Sequence, residues 1–358
     1  MPDNTGPQKE KATGERSFLS LTDITRQHVY CANNFVCATA QYRTARDVIS
    51  RTIEALRSER NVTSRLAKIA AIPAASPVVL GIGDDCAIYR PRGSADDLLF
   101  TADLFLENVH FLRETHKAAD IGRIALARSL SDIAAMGGDP RFCLVSLCVP
   151  RWADDKWVDG FFDSLNALAS STGTVLAGGD LSEGDTAVCD VTVCGAVPRG
   201  TALRRDGARP GDEIYVSGKL GGSALGLSAR KGKAWKRHLN PEPRLEAGRY
   251  VRENLRATAA IDISDGLSLD LERLCLASGA AAEIIDPPRF TGATLEHALH
   301  GGEEYELLFT VRPGTRVPGD YKGLPLTRIG TIFRGQPGEM RHNGAPLPAL
   351  GFDHFATK

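Results

Sequence analysis

Asp84 and Asp85 stand side by side in Gly81-Ile-Gly-Asp-Asp-Cys-Ala-Ile-Tyr89, directly after the apolar run Val78-Val79-Leu80. Adjacent carboxylates after a buried strand repel one another, and burial raises their pKa values unless a positive charge compensates. A divalent cation is the usual compensation; for a lone Gly-Asp-Asp a solvated turn is the plain alternative. The theme recurs downstream. Leu98 to Asp103 is an apolar run ending in an acid, and Ser131-Asp132 lies inside an apolar helical pattern. Gly178-Gly179-Asp180 follows the strand-like Thr174–Ala177, and Ala259-Ala-Ile-Asp-Ile-Ser-Asp-Gly266 ends in two acids and a glycine. Singly, Asp85, Asp103, Asp132, Asp180, Asp262 and Asp265 are each explicable as cap or turn residues, with Ser264 or Asp265 well placed as the N-cap of the helix that follows. Together, with no Cys-x-x-Cys pair and no His-x-x-x-His spacing, they form an all-oxygen donor set, which selects Mg²⁺ or Mn²⁺ over zinc.

Several acids around one cleft imply more than one ion, and such clusters neutralise polyphosphate charge. The reaction class that follows is ATP-dependent phosphoryl transfer, in which a protein mainly positions groups and stabilises charge. Neither a Walker A sequence nor a protein-kinase Gly-rich loop is present. Lys219-Leu-Gly-Gly-Ser223 resembles a phosphate loop only superficially, because the lysine precedes the glycines. The nucleotide is therefore expected to rest on metal-bridged acids, glycine N–H groups and a few basic side chains.

The elements that must position these acids follow from periodicity. Helical spacing runs over 45–71, 122–137, 154–171, 245–255 and 267–277, strand-like runs cover 142–149, 187–197 and 211–218, and the stretch 301–310 puts acids before a strand. The aromatic stripe Trp157, Phe161, Phe162 reads as core, not as a binding box. Residues 1–45 are polar and aperiodic and are expected to be a poorly ordered extension. The halves 46–198 and 199–358 share an outline of strands, two substantial helices and a Gly/Asp strand end. An α+β protein of two domains with a ligand cleft between them is expected.

At 358 residues the chain is long enough for two domains, and its 42% hydrophobic and 24% charged content is that of a soluble globular protein. A formal net charge of -1 offers no global attraction to nucleic acid or to anionic membranes. No apolar run approaches a membrane span and no apolar leader is evident. Cys143 with Cys148, and Cys189 with Cys194, sit at odd spacing in strand-like runs, so each pair points to opposite sheet faces. Buried reduced thiols and a cytoplasmic location are expected.

Gly81-Ile-Gly-Asp-Asp-Cys-Ala, Leu130-Ser-Asp-Ile-Ala-Ala-Met-Gly, Gly178-Gly-Asp, Ala260-Ile-Asp-Ile-Ser-Asp-Gly and Gly301-Gly-Glu-Glu-Tyr-Glu-Leu resemble, in order, the motifs of the thiamine-monophosphate kinases, within the superfamily of aminoimidazole ribonucleotide synthetase. The Gly301–Leu307 stretch and the closing Gly351-Phe-Asp-His-Phe355 favour the thiamine branch. The resemblance implies an aminoimidazole ribonucleotide synthetase-like fold and a homodimer whose N-terminal sheets join in a shared barrel. It implies Mg²⁺ ligands at Asp85, Thr101, Asp103, Asp132, Asp180, Asp262 and Asp265. ATP contacts fall at Gly179, Asp180, Arg205 and Ser264, and thiamine phosphate contacts at His110, Glu303 and Phe352. The implied reaction is in-line attack of the substrate phosphate on the ATP γ-phosphate, giving thiamine diphosphate without a general base.

This chain departs from the family pattern at Ala102, where threonine is usual, and at Leu181-Ser182-Glu183, where Thr-Thr-Arg is usual. The segment from Gly266 to Gly301 is also shorter than usual. A paralogous kinase or synthetase acting on another small metabolite is the second reading, and a non-catalytic nucleotide-binding module the third. Six mutually repelling carboxylates have little reason to persist in the third.

Overall fold

A computed structural model describes residues 59–70 and 72–355. The polar extension expected over 1–45 and most of the helix expected over 45–71 lie outside the described residues. What remains of that helix is α1 (Glu59–Ile69).

Six strands build the first sheet: β1 (Val78–Leu80), β2 (Ala87–Tyr89), β3 (Asp96–Leu106), β4 (Asp139–Pro150), β5 (Val175–Gly184) and β6 (Val188–Pro198). Their spatial order is β1-β2-β3-β6-β4-β5, antiparallel except for the parallel β4–β5 pair. Two helices, α2 (Ala118–Ala135) and α3 (Asp155–Thr172), belong to this half. Asp154 caps α3 by accepting the Trp157 N–H at 2.9 Å, and Gly173 ends it in a left-handed conformation. The helices approach closely because Gly122 presents no side chain: a Cβ there would lie 2.1 Å from the Phe161 carbonyl oxygen. Trp157 stacks on the fully buried Phe161 with ring centroids 5.8 Å apart, so the aromatic stripe is core. All six described cysteines are unpaired.

The second half contributes β7 (Glu213–Ser217), α4 (Gly222–Ala229), α5 (Gly232–Leu239), α6 (Leu245–Tyr250), β8 (Ala259–Asp262), α7 (Leu267–Ser278), β9 (Ala281–Ile284) and α8 (Leu295–His300). It closes with β10 (Leu307–Val311), β11 (Asp320–Tyr321), β12 (Leu324–Phe333), β13 (Met340–His342) and β14 (Ala345–Pro346). The path of this sheet is β14-β13-β9-β12-β7-β10-β8, with β11 paired to β12. Each sheet has its own apolar core, and a third cluster joins Ala134 and Ala135 of α2 to Leu203, Phe309 and Val311. Thus α2 touches both halves, which explains why it is buried on nearly every side.

Two expectations need correction. The helix expected over 245–255 is α-helical only to Tyr250 and widens into a π turn over Val251–Leu255, from which the buried Arg252 donates its Nε–H to the Gly137 carbonyl at 2.8 Å. The strand expected to stop at Gly178 instead runs through the glycines to Gly184. Gly179 permits this, because a Cβ there would lie 1.8 Å from the Val145 carbonyl oxygen of β4. Gly179 serves close strand pairing, and neither glycine forms a turn.

Candidate active site

One cavity of about 1320 Å³ collects nearly every predicted side chain. Asp85, Thr101, Asp103, Asp132, Arg205, Asp262, Ser264, Asp265, His110, Glu303 and Phe352 all line it. Ligand pockets commonly run to about 300–1,000 Å³, so this one has room for a nucleotide and a second small molecule.

At its floor, carboxylate oxygens of Asp85, Asp132 and Asp262 lie within 4.8 Å of one another. Asp85 comes from the loop between β1 and β2, Asp132 from the last turn of α2, and Asp262 from the end of β8. The position of Asp132 is costly, since the C-terminal end of a helix disfavours a negative charge and no basic residue occupies that turn. Hydroxyls steady the acids: Thr101 donates to Asp132 at 2.5 Å, and Ser131 donates to Asp262 at 2.6 Å.

Arg205 donates to Asp85 Oδ1 at 2.5 Å and lies 3.8 Å from Asp84. Asp84 in turn accepts the N–H groups of Asp85 and Arg205, so it shapes the loop. The second oxygen of Asp85 is buried with no hydrogen-bond partner. Burial, and then the neighbouring carboxylates, push Asp132 and Asp262 well above the usual carboxylate range. Asp132 is only partly buried as a residue, yet the surrounding protein still desolvates its carboxyl. Burial, with Asp85 next in weight, raises Asp84 to about 7. An orphaned carboxylate oxygen among acids held against their preference is what a hard cation corrects, so the donor set fits Mg²⁺.

The helix start expected to be capped by Ser264 or Asp265 is built differently. Gly266 is the N-cap, and Asp270 reaches back from inside α7 to accept the N–H groups of Asp265 and Gly266 at 3.1 and 3.0 Å. Ser264 is thereby left to face the cavity, while Asp265 pairs with Arg273 at 2.5 Å. The Gly301–Glu306 loop lies on this segment, with Glu303 N–H donating to Ser264 O at 2.6 Å and Tyr305 N–H to Ile263 O at 2.9 Å. Glu303 and Tyr305 have φ values of 60° and 51°. Two left-handed non-glycine residues so close together are strain of the kind concentrated at functional sites.

At the other end of the cavity His110 lies between Phe105 and His354, with centroids 5.5 and 5.0 Å away. Its Nδ1 accepts the Leu106 N–H at 3.0 Å, so Nε2 carries the ring proton, and Nε2 has no partner. Burial, helped by Arg128 and His354, lowers its pKa to about 3 and keeps it neutral. Phe352 meets His354 edge-on at 4.7 Å. Glu303 is flanked by Arg128 at 3.6 Å and His238 at 3.4 Å.

Gly179 and Asp180 are not brought to this cavity. The row Asp103–Val191–Val145–Gly179 runs across β3, β6, β4 and β5. Three strand spacings separate its ends, about 14 Å. Both residues lie on the exposed edge strand, where Glu183 pairs with Arg151 at 3.2 Å. Sequence reasoning missed Arg128, Arg273, Tyr305 and His354, which also line the cavity. A signal existed for Arg128, since it stands one helical turn before Asp132 in an otherwise apolar pattern.

Residues 83–197 match the family described as AIR synthase related protein, N-terminal domain. The thiamine-monophosphate kinase of Salmonella typhimurium is 37% identical over 308 residues, 78% of this chain and 93% of the relative. That of Bacillus subtilis is 38% identical over 310 residues, 78% of this chain and 94% of the relative. Among solved structures, AaThiL complexed with AMPPCP and TMP superposes with a TM-score of 0.73 at 30% identity, covering 83% of this chain and 97% of that one.

Proposed function

The chain belongs to the thiamine-monophosphate kinase family, and on that premise we infer that it phosphorylates thiamine monophosphate with ATP to give thiamine diphosphate. The observation that carries the reading is the convergence of Asp85, Asp132 and Asp262 in a cavity large enough for both substrates.

Mg²⁺ ions would be held by Asp85, Asp132 and Asp262, with Asp103, Thr101 and Asp265 beside them. Bound there, they supply neutralisation of the charge on the polyphosphate. Arg205 and Ser264 face the nucleotide. His110, Glu303 and Phe352 face thiamine monophosphate, His110 offering a neutral Nε2–H donor and Phe352 an exposed ring for stacking. The nucleophile is an oxygen of the acceptor phosphate. A phosphate monoester has a second pKa of about 6, so this oxygen is already ionised at neutral pH and no side chain need remove a proton. The residues then have two tasks, holding the acceptor oxygen in line with the γ-phosphate and excluding water.

The working form is a homodimer. The edge strand β5 exposes Val175 and Leu181, at 61% and 59%, and an unpaired apolar edge invites pairing with a second chain. Gly179 and Asp180, out of reach of their own cavity, would then complete the partner's nucleotide and metal site. The halves divide near residue 198, the first carrying the dimer contacts. A cytoplasmic setting accords with the unpaired state of the six described cysteines, and no described helix is long and apolar enough to cross a membrane.

The test is direct: purified protein, ATP, Mg²⁺ and thiamine monophosphate, with thiamine diphosphate resolved chromatographically. Product formation that EDTA abolishes is expected. Tight ATP binding without product would overturn the substrate and leave a paralogous kinase.

A further inference from the structure

Arg128 projects from α2 into the middle of the cavity, between the acid cluster and the ring-lined end. Its side chain is only 14% exposed, and its Nε is buried without a hydrogen-bond partner. Nη1 donates to the Tyr305 hydroxyl at 3.1 Å. Its ionic neighbours are looser: Glu303 at 3.6 Å and Asp103 at 3.9 Å, both beyond hydrogen-bond reach. The guanidinium also packs over the Phe105 ring at 5.3 Å. The other arginines in the cavity are tightly engaged, Arg205 with Asp85 and Arg273 with Asp265, each at 2.5 Å. Arg128 is thus an enclosed cation that lines the cavity, with one buried, unpartnered N–H and two slack ion pairs.

We propose that Arg128 grips the acceptor phosphate of thiamine monophosphate, making it a substrate-binding residue that places the attacking oxygen. The proposal rests on the functional reading given above. A planar guanidinium matches the paired oxygens of a phosphate, and such charge-assisted bonds are the strong ones. Location selects the acceptor over the nucleotide. Glu303 and His110 on one side belong to the thiamine end, while Asp103 on the other opens the acid cluster. A phosphate spanning that gap lies where the two substrates must meet. Tyr305, held in its left-handed conformation, fixes the guanidinium from behind.

The experiment compares wild type with Arg128→Met and Arg128→Lys, measuring kcat, KM for each substrate, and binding of thiamine as a phosphate-free probe. Loss of a charged hydrogen-bonding partner costs about tenfold or more in affinity. Arg128→Met should therefore raise the KM for thiamine monophosphate by at least about tenfold and lower kcat, with Arg128→Lys intermediate. The KM for ATP and the binding of thiamine should both stay within about twofold of wild type. An unchanged KM for thiamine monophosphate would overturn the proposal. So would an equal loss of thiamine binding, which would mean that Arg128 only orients Glu303. Should Arg128→Met fail to fold, a structure of the wild-type enzyme with thiamine monophosphate decides: phosphate oxygens in hydrogen-bond contact with Arg128 support the role, and their placement elsewhere refutes it. Wild-type turnover in the same assay separates the two levels, because its absence sinks the functional reading whereas normal turnover with an indifferent variant sinks only the role of Arg128.

Discussion

Asp132→Asn removes one charge from the acid cluster and almost nothing else. The amide is isosteric, and its oxygen can still accept from Thr101. At 4.8 Å, the outer limit of separation among these oxygens, two unit charges repel by about 3 kcal/mol at an effective dielectric constant near 20. Arg205 already compensates Asp85, so Asp103 and then Asp262 are the carboxylates that weigh most on Asp132. Asp132 also meets the unfavourable end of a helix dipole and is partly relieved by taking up a proton. The metal-free variant should therefore be no less stable than wild type and up to about 3 kcal/mol more so. For a chain of this size that is a rise of several degrees in Tm. Addition of Mg²⁺ should reverse the order, since only wild type gains the linkage term from a complete site. Turnover should fall by at least about a hundredfold, as expected when charge stabilisation at the reacting group is lost. Melting curves in EDTA and in Mg²⁺, beside a thiamine diphosphate assay, read all three effects. A variant clearly less stable in EDTA, stabilised by Mg²⁺ as much as wild type, or still fully active, would refute the reasoning.

The pH dependence of the metal-free protein has a definite sign. Asp84 titrates at about 7 in the fold against 3.8 as its ordinary value, so the folded state holds its proton while the unfolded state loses it. Stability contributed by this group is full below pH 4, declines through the interval up to 7 and is flat above, a loss on the order of 4 kcal/mol that urea titrations in EDTA would detect. Stability that rises over that interval would contradict the assignment. Gly179→Ala drives a methyl into the Val145 carbonyl and should cost about 3 kcal/mol or more, seen as a lowered denaturation midpoint; a neutral effect would mean that β5 is not paired as described. Leu181→Lys places a charge on the apolar edge and should yield monomers in sedimentation with at least about tenfold lower turnover. An active monomer would show that the partner contributes nothing to the site.

Much of the site was legible because short carboxylates after apolar runs have few structural uses, and Asp85, Asp103, Asp132 and Asp262 do share one cavity. Helices followed from periodicity, and the cap at Asp154 with the stop at Gly173 places α3 within a residue or two of expectation. The failures have physical causes. Gly178 and Gly179 have the composition of a turn, but Gly179 has the task of close backbone approach, which only the packing of β4 reveals. Ser264 looked like a cap because Asp270, four residues into α7, performs that task from a distance sequence rules do not search. Arg128 resembled any charged residue in a helix until the second half of the chain enclosed it.

The neighbours Ser131 and Asp132 carry a consequence for the order in which this protein is made. The first half is complete in sequence by residue 198, and it already holds Asp84, Asp85, Asp103 and Asp132. The counter-charge of Arg205 and the third carboxylate at Asp262 emerge from the ribosome afterwards. A nascent first half therefore has only the slack Arg128 contact, 3.9 Å from Asp103, to offset its acids where α2 awaits β8. A hard cation held by Asp85, Asp132 and Asp262 would link its own capture to the docking of the second half, and that chelate would close last.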